Sequence, residues 1–327
     1  MRLDTPFLKL PIRFEPDVLA AEVRALPDWA WSAHPTGFVG NEAVRLVSPG
    51  GEQTDDFSGP MGPTKQLELC PYIQEIMGEI GGVWGRSRLM GLAAGADVPA
   101  HIDTHYYWRT HLRLHIPVIT NPAVLFTCGD ETVHMEAGEC WAFDSFRRHK
   151  VENKGAEQRI HLVLDTVGGA ELFALIAAAR TGATEARLLH PGERGQDGLR
   201  FEKMNSPPVM TPWEMRCHLS FLAEQARPEP LLTPVLARLD QFVDSWATAW
   251  AEFGSDEAGR ANYLRLLDEV RQDLATLGGG RITLNNDWPL YGMLEPLIFQ
   301  MALAPPAPAP TGSVTTRLGG YPRAAGG

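Results

Sequence analysis

The sequence predicts a mainly β core followed by a helical region, with further helices at the N-terminal side. Two observations carry this prediction. Short runs of strand type recur between residues 86 and 168, separated by turn signals, as in an antiparallel sandwich or barrel. Beyond residue 168 the apolar residues follow helical spacing instead. Strands first and helices afterwards indicate a β core with a helical extension.

The first zone, residues 1–85, mixes strands, helices and long loops. Proline is tolerated in a first helical turn, so Pro16 marks a helix start. Ile73, Ile76 and Ile80 lie at helical spacing and predict a second helix. The predicted elements are a strand over 8–14, a helix over 17–26, a strand over 42–47 within the loops of 33–65, and a helix over 71–80.

The second zone contains the most regular strand pattern of the chain, at residues 109–118. Apolar and basic residues alternate there, which puts one kind on each face of a strand. The basic face carries Arg109, His111, Arg113 and His115, and the apolar face carries Leu112, Leu114, Ile116 and Val118. Further runs of strand type lie at 123–128, 132–135, 140–143 and 159–165.

The third zone is mainly helical. Thr211 followed by proline and, at position 214, glutamate is a good helix start. Helices are predicted over 171–180, 211–222, 231–253 and 261–277, with a loop over 181–210. The chain is therefore divided into 1–168 for the N-terminal helices and β core, 169–301 for the helical C-terminal region, and 302–327 for a tail whose Pro, Ala and Gly content predicts disorder.

Composition and charge exclude several classes of protein. The 327 residues are 44% hydrophobic, which is too apolar for a wholly disordered chain and enough for a large core. The net charge of −11 disfavours nucleic-acid binding, because phosphate is repelled by an acidic chain. The apolar runs at 93–96 and 172–179 are far shorter than the roughly 20 residues that cross a bilayer.

The N-terminus and the cysteines predict a cytoplasmic protein. Charges and prolines interrupt the first residues, so the apolar core of a signal peptide is lacking. The four cysteines form no CxxC pair, and free buried thiols are expected in a chain without an export signal.

Histidines are concentrated in the β region and include a metal-binding pattern. Seven of the ten histidines lie between residues 101 and 161. On an extended strand His101 and Asp103 point the same way, so both face one ion. His149 follows 46 residues after Asp103 and supplies a third ligand from another strand. Two imidazoles and one carboxylate suit Fe(II), although a His-x-Asp alone also fits a hydrogen-bonded pair at a loop end.

Arg159 opens the apolar run 160–164 and needs an anionic partner, because an unpaired buried charge is costly. A dicarboxylate cosubstrate would supply that partner with two-pronged geometry. The alternative is a salt bridge to Glu157 or Asp165.

With these motifs in order, residues 67–166 resemble the aspartyl/asparaginyl β-hydroxylase family of Fe(II)/2-oxoglutarate-dependent dioxygenases, which includes bacterial proline cis-hydroxylases. The resemblance covers about 100 residues and depends on the combination of motifs. The matching stretches are 71–73, 86–88, 98–103, 109–117, 133–144 and 145–149.

The resemblance implies both fold and site. With strands before helices, the fold is a double-stranded β-helix (jelly roll, cupin-like) plus a helical C-terminal region. By resemblance, His101, Asp103 and His149 are catalytic and hold the iron. The resemblance also implies that Arg159 binds the distal carboxylate of 2-oxoglutarate, and that Arg109 and His111 line the cosubstrate pocket.

The function implied is hydroxylation by dioxygen of an unactivated C–H bond in a small amino-acid or peptide substrate. Asp103 favours a free, proline-like amino acid or an amino-acid residue in a peptide. The alternatives are β-hydroxylation of an aspartyl or asparaginyl residue, another oxidation outcome at the same iron site, such as desaturation, and a non-catalytic cupin-like protein that binds a ligand or a metal such as Zn(II).

Overall fold

The computed structural model describes residues 3–35, 37–183 and 185–304. Within these ranges the strands form two sheets. The strands are β1 Phe7–Phe14, β2 Ser32–Ala33, β3 Asn41–Pro49, β4 Met61–Pro63, β5 Val83–Leu92, β6 Asp97–His101, β7 Leu112–Ile119, β8 Val124–Cys128, β9 Glu131–Val133, β10 Glu139–Phe143, β11 His149–Asn153, β12 Arg159–Thr166, β13 Arg187–Leu189 and β14 Arg200–Phe201.

The helices of the same ranges flank or follow the sheets. They are α1 Pro16–Arg24, α2 Lys65–Glu68, α3 Pro71–Ile80, α4 Tyr106–Thr110, α5 Ala170–Arg180, α6 Pro212–Gln225, α7 Leu232–Phe253, α8 Arg260–Leu277 and α9 Leu290–Leu294, with a π-helical turn at Glu295–Phe299. Short 3₁₀ turns lie at Asp28–Ala30, Glu257–Gly259 and Gly279–Arg281.

The two sheets have the topology of a jelly roll. The main sheet has the order β13-β1-β10-β7-β12-β5-β3-β2, with β14 on β5 and β4 on β3, and the second sheet has the order β6-β11-β8-β9. From β5 to β12 the chain passes repeatedly from one sheet to the other, and all pairs among these strands are antiparallel. The predicted double-stranded β-helix with additional helices is confirmed.

Three hydrophobic clusters hold the molecule together. The largest lies under the main sheet, where α1, α3 and α5 cover the apolar face, and it includes Ile73, Ile76 and Ile80 as the helical spacing predicted. A small cluster around Phe126 and Phe143 lies between the two sheets. A third cluster is formed by α6 to α9. The division of the chain into domains stays a prediction.

The structure corrects two predicted elements. The basic and apolar alternation at 109–118 does not form one strand, because Tyr106–Thr110 is a helical turn and β7 begins only at Leu112. The predicted loop over 181–210 contains β13 and β14, which add parallel strands to the main sheet. Packing of Tyr106 and Tyr107 in the first case, and pairing with the main sheet in the second, outweigh the local sequence pattern.

The predicted tail lies mostly outside the described residues, which end at 304. Its first residues belong to the folded structure: Ala302 is buried, and its carbonyl accepts a hydrogen bond from the Met210 amide at 2.8 Å. Cys70, Cys128 and Cys140 are free and buried, as predicted, whereas Cys217 is free but exposed.

Each helix of the described ranges is too short or too polar to traverse a bilayer. The cytoplasmic location stays a prediction.

Candidate active site

Two histidines are brought together by strand pairing in the second sheet. His101 ends β6 and His149 begins β11, and the two residues are direct cross-strand partners. Their ring centroids are 4.2 Å apart. Side chains of directly opposed residues share a face of the sheet, so both imidazoles project to one point.

The ring orientation is fixed by backbone carbonyls. Nδ1 of His101 lies 2.8 Å from the Pro99 oxygen, and Nδ1 of His149 lies 2.9 Å from the Arg147 oxygen. A carbonyl only accepts, so each Nδ1 carries the proton and donates it. In the neutral ring with this tautomer, the Nε2 lone pair is the one that faces a metal ion.

Asp103 completes the cluster from the loop after β6. Its amide donates to the Ser145 carbonyl at 3.1 Å, which anchors this loop beside the one that leads to His149. One ligand atom from each of His101, Asp103 and His149 lies within 4.8 Å of the others. This spacing is compact enough for one ion.

An arginine orients the Asp103 carboxylate. Arg113 Nη1 donates to Asp103 Oδ2 at 3.1 Å, while its Nε donates to Asp165 Oδ1 at 2.9 Å. The guanidinium lies over the Trp108 ring, 3.9 Å from its centroid. Two carboxylates and one aromatic ring thus hold the Arg113 guanidinium in place, and Arg113 in turn fixes the orientation of the Asp103 carboxylate.

Burial keeps His149 neutral. It lowers the pKa of His149 to about 4, against the opposing effect of Asp103. The neutral imidazole is the metal-binding state, so His149 can bind a cation at neutral pH without losing a proton first.

The triad lies in the wall of a cavity of about 530 Å³ inside the jelly roll, here called the barrel cavity. It is large enough for a small cosubstrate together with a small substrate. Its lining includes His34, Phe38, Asp55, Phe57, Arg86, Arg88, His101, Asp103, Trp108, Arg113, His115, His149, Arg159 and Asp165.

Arg159 lines the same cavity from β12 and has no ion pair with an acidic residue in the described part of the chain. It is 4% exposed, and its Nε has no hydrogen-bond partner in the described structure. Burial lowers its pKa to about 9. Asp165 pairs with Arg113 instead, so the salt bridge considered as an alternative for Arg159 is not formed with Asp165.

Arg109 and His111, predicted for the cosubstrate pocket, are not among the residues that line the barrel cavity, and their role stays a prediction. Arg109 sits in α4 with its guanidinium 3.8 Å from the Phe221 ring centroid. His111 is buried, with Nε2 3.0 Å from Glu202 Oε2. Because α4 interrupts the alternation, the Arg-x-His pair that lines the barrel cavity is Arg113 and His115.

His115 is backed by a second buried histidine. Its Nδ1 lies 3.3 Å from Nδ1 of His161, so one ring donates to the other. Burial, followed by the charge of Arg159, holds the pKa of both imidazoles well below the ordinary value, and both stay neutral.

A second cavity of about 500 Å³, here called the rim cleft, adjoins the site. It lies between the edge of the jelly roll and the helices α6 and α9. Asp103 and Trp108 line both cavities, so the two meet beside the triad. Asn286, whose Nδ2 donates to the Phe146 carbonyl at 2.9 Å, fastens the helical region to the loop that precedes His149.

Sequence reasoning missed the N-terminal contribution to the cavity. Asp55 and Phe57 belong to an irregular segment whose Gly, Pro and Asp content signals only a loop. Phe57 stacks on His105 at 4.3 Å between centroids, and Asp55 binds Arg45 and Arg88. The stretch 86–88, which includes Arg86 and Arg88, is the part of this end of the cavity that the family resemblance covers.

Comparison with known families identifies the segment that carries the triad. Residues 58–168, about a third of the chain, match the family model described as Aspartyl/Asparaginyl beta-hydroxylase. The family resemblance is thereby confirmed for this segment, and it supports a hydroxylase. Among curated proteins none matches the chain.

Solved structures share parts of the architecture at low identity. A Pseudomonas putida prolyl-4-hydroxylase is 12% identical with a TM-score of 0.35, over 50% of this chain and 92% of its own. An oxidoreductase of the 2OG-Fe(II) oxygenase family from Burkholderia pseudomallei is 12% identical with a TM-score of 0.31, over 48% and 93%. A predicted oxalate decarboxylase from Thermotoga maritima is 18% identical with a TM-score of 0.26, over 42% and 89%.

Proposed function

We propose that this chain is an Fe(II)- and 2-oxoglutarate-dependent dioxygenase that hydroxylates an unactivated C–H bond of an amino acid, free and proline-like, or of an amino-acid residue in a peptide. The observation that carries the proposal is one cavity that contains both a His-Asp-His cluster and a buried arginine for which the described residues supply no acidic partner.

The residues present fit both groups. His101, Asp103 and His149 would hold the iron, because two imidazoles and one carboxylate leave positions open for further ligands. Arg159 would bind the distal carboxylate of 2-oxoglutarate, which supplies the anion that its buried guanidinium lacks. When bound, Fe(II), 2-oxoglutarate and dioxygen supply the oxidation of a C–H bond to an alcohol, with release of succinate and carbon dioxide.

The protein contributes orientation and enclosure. Arg113 holds the Asp103 carboxylate in place, and Asp165 holds Arg113. The carbonyls of Pro99 and Arg147 fix the two imidazoles. The apolar side chains around the triad, including Phe126 and Phe143, keep bulk water from this part of the cavity.

A second candidate is β-hydroxylation of an aspartyl or asparaginyl residue in a peptide or protein. The name of the matching family supports it. The rim cleft, which meets the barrel cavity at Asp103, would give room for a flanking peptide.

Succinate formation tests the proposal. Protein reconstituted with Fe(II) and supplied with 2-oxoglutarate and ascorbate is assayed against free amino acids, short peptides and Asp- or Asn-containing peptides. We expect turnover that needs both iron and 2-oxoglutarate, is stimulated by one substrate, and is lost in His149→Ala. Arg238→Gln, which changes an ion pair on the helical region, serves as the matched control and keeps wild-type turnover.

The contradicting outcome is equally definite. If the protein neither consumes 2-oxoglutarate nor binds it in the presence of Fe(II), the dioxygenase proposal is wrong. Binding of a small ligand without any turnover would then favour the non-catalytic cupin-like alternative.

A further inference from the structure

Two buried guanidiniums of the barrel cavity lack a carboxylate partner among the described residues. Arg159 is one, and the cosubstrate accounts for it. Arg86 is the other: it is 7% exposed, its Nε has no hydrogen-bond partner, and its Nη1 reaches only the backbone oxygen of Asp55 at 3.2 Å. In the proposed function the distal carboxylate of 2-oxoglutarate would bind Arg159 and would leave Arg86 without an anion. Arg86 therefore needs a further anion.

The surroundings of Arg86 form a binding surface with apolar walls. Its guanidinium lies 4.0 Å from the Phe57 ring centroid and 5.7 Å from that of Trp108. Arg88 points to the same side of β5, two residues along, and also lines the cavity. We call Arg86, Arg88, Phe57 and Trp108 the arginine subsite. A guanidinium flanked by aromatic rings, as that of Arg86 is, suits a carboxylate on an apolar body.

The acidic groups that line the cavity are already engaged by arginines. Asp55 accepts hydrogen bonds from Arg45 Nε at 3.1 Å and from Arg88 Nη2 at 2.5 Å. Asp165 accepts hydrogen bonds from Arg113 Nε and Nη2, at 2.9 and 3.4 Å. Asp103, a member of the triad, accepts a hydrogen bond from Arg113 Nη1. Among the described lining residues no carboxylate is left for a substrate ammonium, which would instead face Arg86 and Arg88.

His34 adds no positive charge to the arginine subsite at neutral pH. It lines the cavity beside the arginine subsite. Burial and the nearby charge of Arg88 lower the pKa of His34 to about 4. The charges of the subsite are therefore those of Arg86 and Arg88, with Asp55 paired to Arg88 and with Asp165 and Asp55 attracting Arg86 from a distance.

On the basis of the proposed function, we infer that the primary substrate is a carboxylic acid without a free ammonium group beside its carboxylate, and that this carboxylate binds Arg86 and Arg88. An N-acylated amino acid, including the C-terminal residue of a peptide, has this chemistry. An acidic side chain within a peptide has it as well, and the experiment separates the two sources. A zwitterionic free amino acid does not.

Matched ligands test the charge requirement. Proline, leucine and aspartate are each supplied as the N-acetylated acid, as the free amino acid and as the N-acetylated α-amide. In the aspartate α-amide only the side-chain carboxylate remains. Binding to the full chain is followed by tryptophan fluorescence without metal, since Trp108 lines the subsite, and turnover is followed as succinate in the reconstituted enzyme.

We expect an N-acetylated acid to bind about tenfold or more tightly than both its free amino acid and its amide, since a charged hydrogen bond is lost or an ammonium is added. Preference for the aspartate α-amide over the other two amides would identify a side-chain carboxylate as the source. Arg86→Gln should remove the preference, and Arg86→Lys should restore part of it. Arg238→Gln is the matched control.

The stability of Arg86→Gln separates a binding role from a structural one. Because an unpaired buried charge is removed, the variant should melt at the same temperature as the wild type or higher. If no N-acetylated acid is preferred, or if Arg86→Gln keeps the preference, the inference is wrong even where iron- and 2-oxoglutarate-dependent turnover persists. Absence of that turnover contradicts the proposed function instead, and the metal-free binding data still decide the role of Arg86.

Discussion

At the scale of single residues, the strongest functional signal is a charge that the fold leaves uncompensated. Arg159 is buried in the wall of the barrel cavity and has no hydrogen-bond partner for its Nε. Arg113, in contrast, is paired with Asp103 and Asp165. A buried charge that no acidic residue of the described structure compensates lowers the stability of the fold, and a bound anion would compensate it.

Replacing Arg159 should therefore separate stability from function. We expect Arg159→Met, which has similar length and no charge, to raise the free energy of unfolding by about 1–3 kcal/mol in the absence of 2-oxoglutarate. The same variant should lose 2-oxoglutarate binding. Chemical denaturation and a binding titration on the same preparations check both. Destabilisation together with unchanged binding would contradict the assigned role.

The paired histidines His115 and His161 predict a pH dependence of stability. The pKa of His161 is held well below the ordinary 6.5 by burial first and by Arg159 second. The unfolded chain therefore takes up a proton below about pH 6.5 that the folded chain refuses, and stability falls as the pH is lowered. Above about pH 6.5, His161 is neutral in both the folded and the unfolded chain and no longer makes stability depend on pH.

His161→Leu should weaken this dependence. The variant takes up one proton fewer on unfolding. The slope of its free energy of unfolding against pH is therefore smaller by about 1.4 kcal/mol per pH unit between pH 6 and 5. Denaturation curves of the metal-free protein across this range measure it. Equal slopes for variant and wild type would show that His161 is not kept neutral by the fold.

At the scale of elements, the short helix α4 decides which side chains reach the site. Tyr106 packs in the cluster of α6 to α9, and the next residue, Tyr107, packs under the main sheet. The Arg86 amide donates to Tyr107 Oη at 2.6 Å. Helix α4 thus joins two hydrophobic cores and turns Arg109 and His111 away from the barrel cavity.

The close approach of α4 to β5 depends on Gly85. A Cβ there would collide with Tyr107 Oη and come within 2.9 Å of the His111 ring. We expect Gly85→Ala to destabilise the fold by about 1–3 kcal/mol and to weaken substrate binding through Arg86. Gly195→Ala, where the added Cβ meets nothing within 4 Å, is the control. Equal melting temperatures for the two variants would contradict the packing argument.

At the scale of the whole molecule, the sequence predicts the jelly roll and the cluster of His101, Asp103 and His149 because both depend on local patterns. The spacing of strands and turns determines the jelly roll, and a single cross-strand pair brings His101 and His149 together. Which Arg-x-His pair faces the cavity was not predictable, since both pairs fit period two and tertiary contacts of α4 decide between them. Asp55 and Phe57 come from a loop without periodicity, so only the fold shows that they reach the cavity.

The most direct test of the central claim needs no substrate. Protein loaded with Fe(II) without oxygen is titrated with 2-oxoglutarate, and the visible charge-transfer absorption of the iron chelate is recorded. We predict saturable absorption with one equivalent of iron, absent in His149→Ala and Asp103→Ala, strongly weakened in Arg159→Met, and unchanged in Arg238→Gln. Absorption that fails to appear in the wild type, or that persists unchanged in the triad variants, would contradict the claim.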